Sequence, residues 1–123
     1  MKTLILLLLL ISAIHAKVHV QVINRLNNGR FMNVHCRSKD NDLGLHLVED
    51  GGDTTWSFDV NFWGTTLFYC DVQWNDSKRY HFDAYDAKRD YKRCQSECRW
   101  MIDKEGSLYG YDEQFGLWEM FPV

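Results

Sequence analysis

The chain has 123 residues, a formal net charge of −3 and 25% charged residues. A mildly acidic chain has no general attraction for phosphate backbones or anionic lipid, so its charge argues against nucleic acid as a partner and against direct membrane insertion. Aromatic residues make up 15% of the sequence and proline occurs once. This composition excludes a disordered or linker-rich chain and favours a folded core.

The first sixteen residues have the order of a secretory signal peptide. Lys2 supplies the positive charge, an unbroken apolar run spans Leu4 to Ile11, and small residues follow up to Ala16. The apolar run is shorter than the roughly 20 residues that a membrane-spanning helix needs. We predict cleavage after Ala16, with Ala13 as the alternative, and therefore a secreted chain that is not anchored in a membrane.

Residues 17–123 have a normal length for one domain, and alternation of apolar and polar residues predicts strands along almost all of it. The first strand is Val18 to Val22. Turn residues at Asn27 to Gly29 make the next strand, Phe31 to Ser38, its expected hairpin partner. A third strand, Leu43 to Val48, should place its three leucines on one face and its histidine on the other.

The clearest alternation runs from Thr54 to Val60 and predicts that Trp56 and Phe58 lie in the core. Turn signals recur every eight to twelve residues, and no window has a convincing helical period, although residues 87–97 are permissive for an inserted helix. The pattern predicts an all-β fold, an antiparallel β-sandwich of about eight short strands. The later strands are Thr66 to Trp74, Arg79 to Tyr85, Cys98 to Ile102, Ser107 to Tyr111 and Leu117 to Phe121.

Four landmarks stand in a fixed order between Val34 and Cys70: HC at 35–36, SKDNDLG at 38–44, WSF at 56–58 and GTTLFYC at 64–70. Together they resemble the plant self-incompatibility S1 family, also called S-protein homologues. The resemblance continues to the second cysteine pair and Trp100, so it covers nearly all of 17–123.

The resemblance implies a β-sandwich and a function. In the family archetype, a ligand secreted by the stigma is recognised by a pollen membrane protein, and rejection of self-pollen follows. For this chain it implies a secreted, non-enzymatic ligand or signalling protein whose partner is a cell-surface membrane receptor. We expect the protein to be a monomer.

Four cysteines in a short secreted chain predict two disulfides. Alternation places Cys36, Cys70 and Cys98 on core faces and Cys94 in the loop before its strand. This favours bridges from Cys36 and Cys70 to the two later cysteines over a local bridge between Cys94 and Cys98. The sequence does not choose between the two arrangements of those longer bridges.

Four histidines follow the predicted signal peptide: His19, His35, His46 and His81. Two of them could act as acid and base in a ribonuclease, but alternation places all four on the faces opposite the apolar residues. The motifs of secreted ribonucleases, phosphate loops and nucleophile elbows are absent. A zinc site would need two close ligand couples, which the distant Cys36 and Cys70 do not provide. We predict no enzyme activity, no cofactor and no metal site, and a secreted hydrolase is the weaker alternative.

Recognition residues are expected on the polar loops of a rigid sandwich. One loop contains the sequon Asn75-Asp76-Ser77, which predicts glycosylation at Asn75. The candidate receptor contacts are Lys39, Asp40, Asn41 and Asp42 in the first loop, Glu49, Asp50 and Asp53 in the second, Asp76 and Lys78 in the third, and Lys88, Arg89, Lys92 and Arg93 in the fourth.

Exposed aromatic residues would support another function. Trp63, Tyr85, Tyr109 and Tyr111 lie at predicted strand ends or in loops, where they could form a stacking platform for sugar rings. A small secreted carbohydrate-binding module is therefore the alternative to a receptor ligand.

Overall fold

The computed structural model describes residues 17–75 and 78–122. The predicted signal peptide at 1–16 lies outside the described residues. The described chain contains nine strands and one short helix: β1 (Lys17–Asn24), β2 (Met32–Arg37), β3 (Asp42–Val48), β4 (Asp53–Asp59), β5 (Leu67–Trp74), β6 (Lys78–Asp86), α1 (Ala87–Asp90), β7 (Glu97–Ile102), β8 (Leu108–Asp112) and β9 (Leu117–Phe121). In this part of the chain, no helix has the length and apolar character to cross a membrane.

The strands form two sheets, which confirms the predicted all-β sandwich. The larger sheet has the order β4-β1-β7-β8-β9, and the smaller one has the order β3-β2-β5-β6. Every pair is antiparallel except β1 with β7, which run parallel. The hairpin predicted between the first two strands is wrong, because β1 and β2 lie in different sheets.

The chain changes sheets after β1 because of Asn24, whose side chain is fully buried. Its amide nitrogen donates to the carbonyls of Arg30 at 2.8 Å and Val48 at 3.0 Å, and its amide oxygen accepts from the Leu26 nitrogen at 2.9 Å. These bonds direct the chain away from β1 before the turn at 27–29. The turn residues therefore make a connection between sheets rather than a hairpin.

The core lies between the inward faces of the two sheets. Val20 and Val22 of β1, Val34 of β2 and Trp100 of β7 are fully buried. The Trp100 indole nitrogen donates to the Ala84 carbonyl at 2.8 Å, so the largest core side chain also has its polar atom satisfied.

Trp56 and Phe58 point inward as predicted but are only half-buried, because β4 is an edge strand. Both pack on Phe68 of the opposite sheet, with ring centroids 5.8 Å and 4.5 Å away. They therefore close one side of the core rather than fill its centre.

A bulge in β3 corrects the predicted faces of its leucines. The pairing with β2 shifts register between His35 and Arg37, opposite Gly44, which has a φ of +80°. The extra residue reverses the alternation. Leu43 packs against the core, whereas Leu45 and Leu47 are 68% and 65% exposed on the outer face.

Two disulfides form, as predicted, but their pairing overturns the preferred arrangement. Cys36 bridges Cys70, and Cys94 bridges Cys98. Cys36 and Cys70 lie directly opposite each other in the β2–β5 register, with Cα atoms 4.0 Å apart. Alternation identified their shared core face but could not reveal that β2 and β5 are neighbours.

The two bridges should differ in how much they stabilise the fold. The Cys36–Cys70 bridge spans 34 residues, and the Cys94–Cys98 bridge spans 4. From loop-closure entropy, the double substitution Cys36→Ala/Cys70→Ala should lower the free energy of unfolding by about 4 kcal/mol, and Cys94→Ala/Cys98→Ala by about 2 kcal/mol. Denaturant unfolding of the two variants, compared with the unsubstituted protein, measures both values. Equal losses would contradict the expectation.

Candidate recognition surface

The loops gather at two opposite ends of the sandwich. The α1 end consists of loops 38–41, 60–66 and 91–96 and the turn 113–116. It is joined by backbone hydrogen bonds from Ala87 to Thr66 at 3.0 Å and from Glu113 to Arg93 at 2.7 Å. The Asn24 end contains residues 25–31, 49–52 and 103–107 together with Asn75. The predicted contact loops are therefore divided, because the first and fourth lie at the α1 end and the second lies at the Asn24 end.

The α1 end is organised by Asp90, which is fully buried. Its carboxylate accepts hydrogen bonds from Nε of Arg89 at 2.7 Å and Nε of Arg93 at 2.8 Å. It also accepts the Asp86 backbone N–H at 2.9 Å. The buried charge therefore has two cationic partners and a backbone donor, as a buried carboxylate requires.

The environment of Asp90 favours its charged form. Burial alone would raise the pKa of the carboxyl group, but the hydrogen bonds from Arg89, Arg93 and the Asp86 amide outweigh it and hold the pKa below its ordinary value. The carboxylate therefore stays charged at neutral pH.

This cluster corrects one predicted receptor contact, Arg93, and ties a second, Arg89, to the scaffold. Arg93 is buried, donates to the Tyr111 carbonyl at 2.9 Å and lies 4.6 Å from the ring centroid of Trp100. Arg89 donates to the Asp83 carbonyl at 2.7 Å and lies 5.3 Å from the same ring centroid. Both guanidinium groups hold the scaffold together. Lys88, Arg89 and Lys92 are the exposed cations of that loop, and Arg89 differs from the two lysines in its hydrogen bonds to Asp90.

Three predicted acidic contacts also bond within the protein. Asp50 accepts the backbone N–H groups of Asn27 and Gly29 at 3.0 Å and 3.1 Å, and Asp53 accepts from the Gln21 amide. Asp42 accepts from the Gly44 amide at 2.9 Å and contacts His35. The Gly44 hydrogen bond, followed by the one from His35, lowers the pKa of Asp42.

Other predicted contacts are freely presented. The exposed ones are Lys39, Asp40, Asn41 and Glu49. Asp76 lies outside the described residues, as does the side chain of Lys78. Asn75 is exposed, and its glycosylation stays a prediction.

The histidines lie mostly on open sheet faces. His35 and His81 flank Asp71 in one row across the outer face of the smaller sheet, paired with it in the β2–β5 and β5–β6 registers. Nδ1 of His81 is 2.9 Å from Asp71, whereas Nε2 of His35 is 2.6 Å from Asp42. The hydrogen bond from His81 lowers the pKa of Asp71. Two strand spacings, about 10 Å, separate the backbones of His35 and His81.

This row can order the imidazole rings but has poor geometry for acid–base catalysis. Each histidine is held by a different carboxylate, and the His81 side chain is 59% exposed. His46 differs from the other histidines, because the Gly44 bulge turns it toward Thr54 and Trp56 at the rim of a cleft of about 190 Å³ between β3 and β4. Within residues 17–75 and 78–122, no three metal-binding side chains cluster together.

The aromatic residues proposed for sugar stacking are not brought together. Tyr85 is buried and packs on Phe58, 5.0 Å between centroids. Tyr109 and Tyr111 lie half-buried on the outer face of β8, where the Arg99 guanidinium carbon is 4.4 Å from the Tyr111 ring centroid. Trp63 lies in the 60–66 loop. The four residues therefore form no common platform.

Sequence reasoning named only Trp63 among the exposed aromatic residues of the α1 end. Phe62, Trp63, Tyr91 and Phe115 are all exposed there. The receptor contacts were predicted from charged and polar residues, so Phe62, Tyr91 and Phe115 were missed. The signal was present in the sequence, because Phe62 and Trp63 occupy a segment bounded by Asn61 and Gly64, where turn residues are expected.

The fold and the surface define a small disulfide-bonded β-sandwich with an ordered loop end and exposed charged and aromatic side chains. Residues 19–121 match the family described as plant self-incompatibility protein S1. The chain belongs to this family, which is a family of secreted plant proteins, so the protein is secreted.

Individual relatives agree with this assignment. The chain is 45% identical to self-incompatibility protein S1 of Papaver rhoeas over 107 residues, which are 86% of this chain and 76% of that protein. It is 41% identical to S-protein homolog 6 of Arabidopsis thaliana over 87 residues, 71% of this chain and 62% of that protein. The chain thus spans less than two thirds of that Arabidopsis relative.

A solved structure supports the fold. It is that of a self-incompatibility protein homologue, described as one of a widespread family of small, highly stable, secreted proteins from plants. It superposes with a TM-score of 0.65 at 16% identity, covering 88% of this chain and 97% of the other.

The Asp90 cluster should be essential for stability. Asp90→Asn removes the charge that pairs with Arg89 and Arg93 and should lower the free energy of unfolding by about 3 to 5 kcal/mol. Denaturant unfolding measures this loss. The exposed Asp40→Asn is the control and should change stability by less than about 0.5 kcal/mol. A loss no larger than that of the control would contradict the role of Asp90.

The same cluster gives a pH dependence with a defined sign. Because the pKa of Asp90 is lower in the folded state than in the unfolded state, its contribution is present above the unfolded pKa, near 4. That contribution is lost as the pH falls through the lower folded value. The stability difference between the protein and Asp90→Asn should therefore shrink on acidification below about pH 4.

Proposed function

We propose that this protein is a non-enzymatic secreted ligand that a cell-surface receptor recognises through the α1 end of the sandwich. The observation that carries the proposal is the convergence there of three loops and a turn that present exposed charged and aromatic side chains from a rigid base. Binding residues on a rigid scaffold typically lie in such loops.

Two buried devices support the rigidity of that end. The Asp90 carboxylate joins α1 to the loop that follows it, and the Cys94–Cys98 disulfide ties the same loop to β7. A surface that is ordered before binding loses less conformational entropy when a partner docks. The α1 end is therefore suited to specific recognition by another protein.

The arrangement of the other end fits the same proposal. Asn75, in the predicted sequon, is exposed at the Asn24 end. A glycan attached there would lie on the opposite side of the domain from Lys88 and Lys92. It would leave the α1 end free for a receptor.

Binding to intact plant cells tests the proposal. Labelled protein should bind pollen or vegetative cells saturably, and protease treatment of the cells should abolish this binding. The double substitution Lys88→Glu/Lys92→Glu should weaken it about tenfold or more, as loss of contacts central to an interface does. Arg25→Glu/Lys104→Glu is the matched control, because both residues are exposed at the Asn24 end.

Two results would contradict the proposal. One is equal binding by the two double variants, since the α1 end would then have no special role. The other is hydrolysis of RNA or glycans by the purified protein that is lost in His35→Ala or His81→Ala, since the protein would then be an enzyme.

A further inference from the structure

The 60–66 loop at the α1 end contains a β-turn whose two corner residues are both aromatic. The Gly64 nitrogen donates to the Asn61 carbonyl at 3.2 Å, which places Phe62 and Trp63 at the corners. Gly64 has a φ of +68° and so takes the left-handed conformation that ends the turn. The aromatic pair is therefore at the outermost point of the loop.

The turn is held by a set of polar bonds around Asn61. Its side-chain oxygen accepts the Thr65 backbone N–H at 2.9 Å, and its side-chain nitrogen donates to the Thr65 hydroxyl at 2.9 Å. Its backbone nitrogen donates to the Thr66 hydroxyl at 2.7 Å. Thr66 in turn accepts the Ala87 backbone N–H, which attaches the loop to α1. The loop is preorganised rather than loose.

The aromatic corners run against ordinary turn chemistry. Gly, Pro, Asn, Asp and Ser dominate turns, because they suit the backbone and expose little apolar surface. Here Phe62 is 84% exposed and Trp63 is 80% exposed. Their rings stack edge-on against each other, with centroids 5.3 Å apart. A local rule broken at a well-ordered site is a feature of functional surfaces.

We propose that Phe62 and Trp63 form the anchor of the receptor interface and insert into an apolar pocket on the receptor protein. This inference rests on the proposed function and identifies the side chains that carry most of the affinity. Tryptophan is enriched among the few residues that dominate binding energy at protein interfaces. Aromatic side chains on a preorganised turn bury a large area at a small entropic cost.

The surrounding charges favour a protein pocket over a lipid surface. Lys17 and Asp59 pair in register on one side of the loop. On the other side lie Asp86, in register with Leu67, and Lys88, whose backbone nitrogen donates to Asp86. Cations and anions are thus balanced, whereas attraction to anionic lipid requires clustered Lys or Arg. Two aromatic side chains alone would bury too little area for stable attachment to a bilayer. A protein pocket can enclose both rings and match charges of either sign.

Substitution of the anchor tests the inference on the full chain. Trp63→Ala should weaken protease-sensitive binding to intact cells at least tenfold, and Phe62→Ala should do so to a smaller degree, whereas Trp63→Phe should retain most of it. Leu45→Ala is the matched control, because Leu45 is 68% exposed away from the α1 end, and it should change binding less than twofold. Vesicles of phosphatidylcholine and phosphatidylserine should not bind the protein.

The outcomes separate this inference from the proposed function. If Trp63→Ala binds like the unsubstituted protein while Lys88→Glu/Lys92→Glu is weakened, the anchor is wrong and the receptor ligand stands. If the protein binds the vesicles and Trp63→Ala abolishes this, the occupant is a bilayer and the inference is overturned. If the unsubstituted protein shows no saturable binding to cells, both proposals fail.

Trp63→Ala should unfold at the same denaturant concentration as the unsubstituted protein. A destabilised variant would show that the ring stabilises the fold, and this would contradict its role as an anchor.

Discussion

The α1 end of this molecule depends on one buried carboxylate. Removing Asp90 from water is costly, and the cost is met only because Arg89, Arg93 and a backbone amide surround it. The two guanidinium groups also lie over the Trp100 ring. The ion cluster therefore couples the α1 end to the hydrophobic core. The backbone that carries the exposed side chains of that end is held in place as a result.

Local pattern predicted the strands well because alternation is a local property. In β1, the predicted strand Val18 to Val22 includes the inward-facing valines, but it stops before the buried Asn24. The pairing of strands was harder to predict than their positions, since β4 and β7, the partners of β1, are distant from it in sequence. The Cys94–Cys98 bridge was missed for a similar reason. Face assignment does not show that β2 and β5 are neighbours, and the Cys36–Cys70 bridge between them leaves Cys94 and Cys98 to pair with each other.

The recognition surface was harder to predict than the fold. Charged residues were taken as exposed, and this failed for Arg93 because its partner Asp90 is only three residues away and both are buried. The expectation of exposure was correct for Lys88 and Lys92. Trp63 was predicted to be exposed, but its neighbour Phe62 in the 60–66 loop was overlooked because apolar residues are normally assigned to strands. Gly44 reversed the faces of Leu45 and Leu47 because a single added residue changes the phase of a strand.

The parallel pairing of β1 with β7 has a consequence for how the protein is made. The smaller sheet is built from β2, β3, β5 and β6, interrupted only by β4, which lies in the larger sheet, and it contains the Cys36–Cys70 bridge. The larger sheet instead places its first strand beside one that begins at Glu97. During synthesis all strands of the smaller sheet leave the ribosome before β7 does. Until then, the edge of β1 that later pairs with β7 has no partner. Long-range closure of this kind slows folding, and the amino-terminal strand keeps one open edge until β7 has been made, after which β8 and β9 extend the larger sheet.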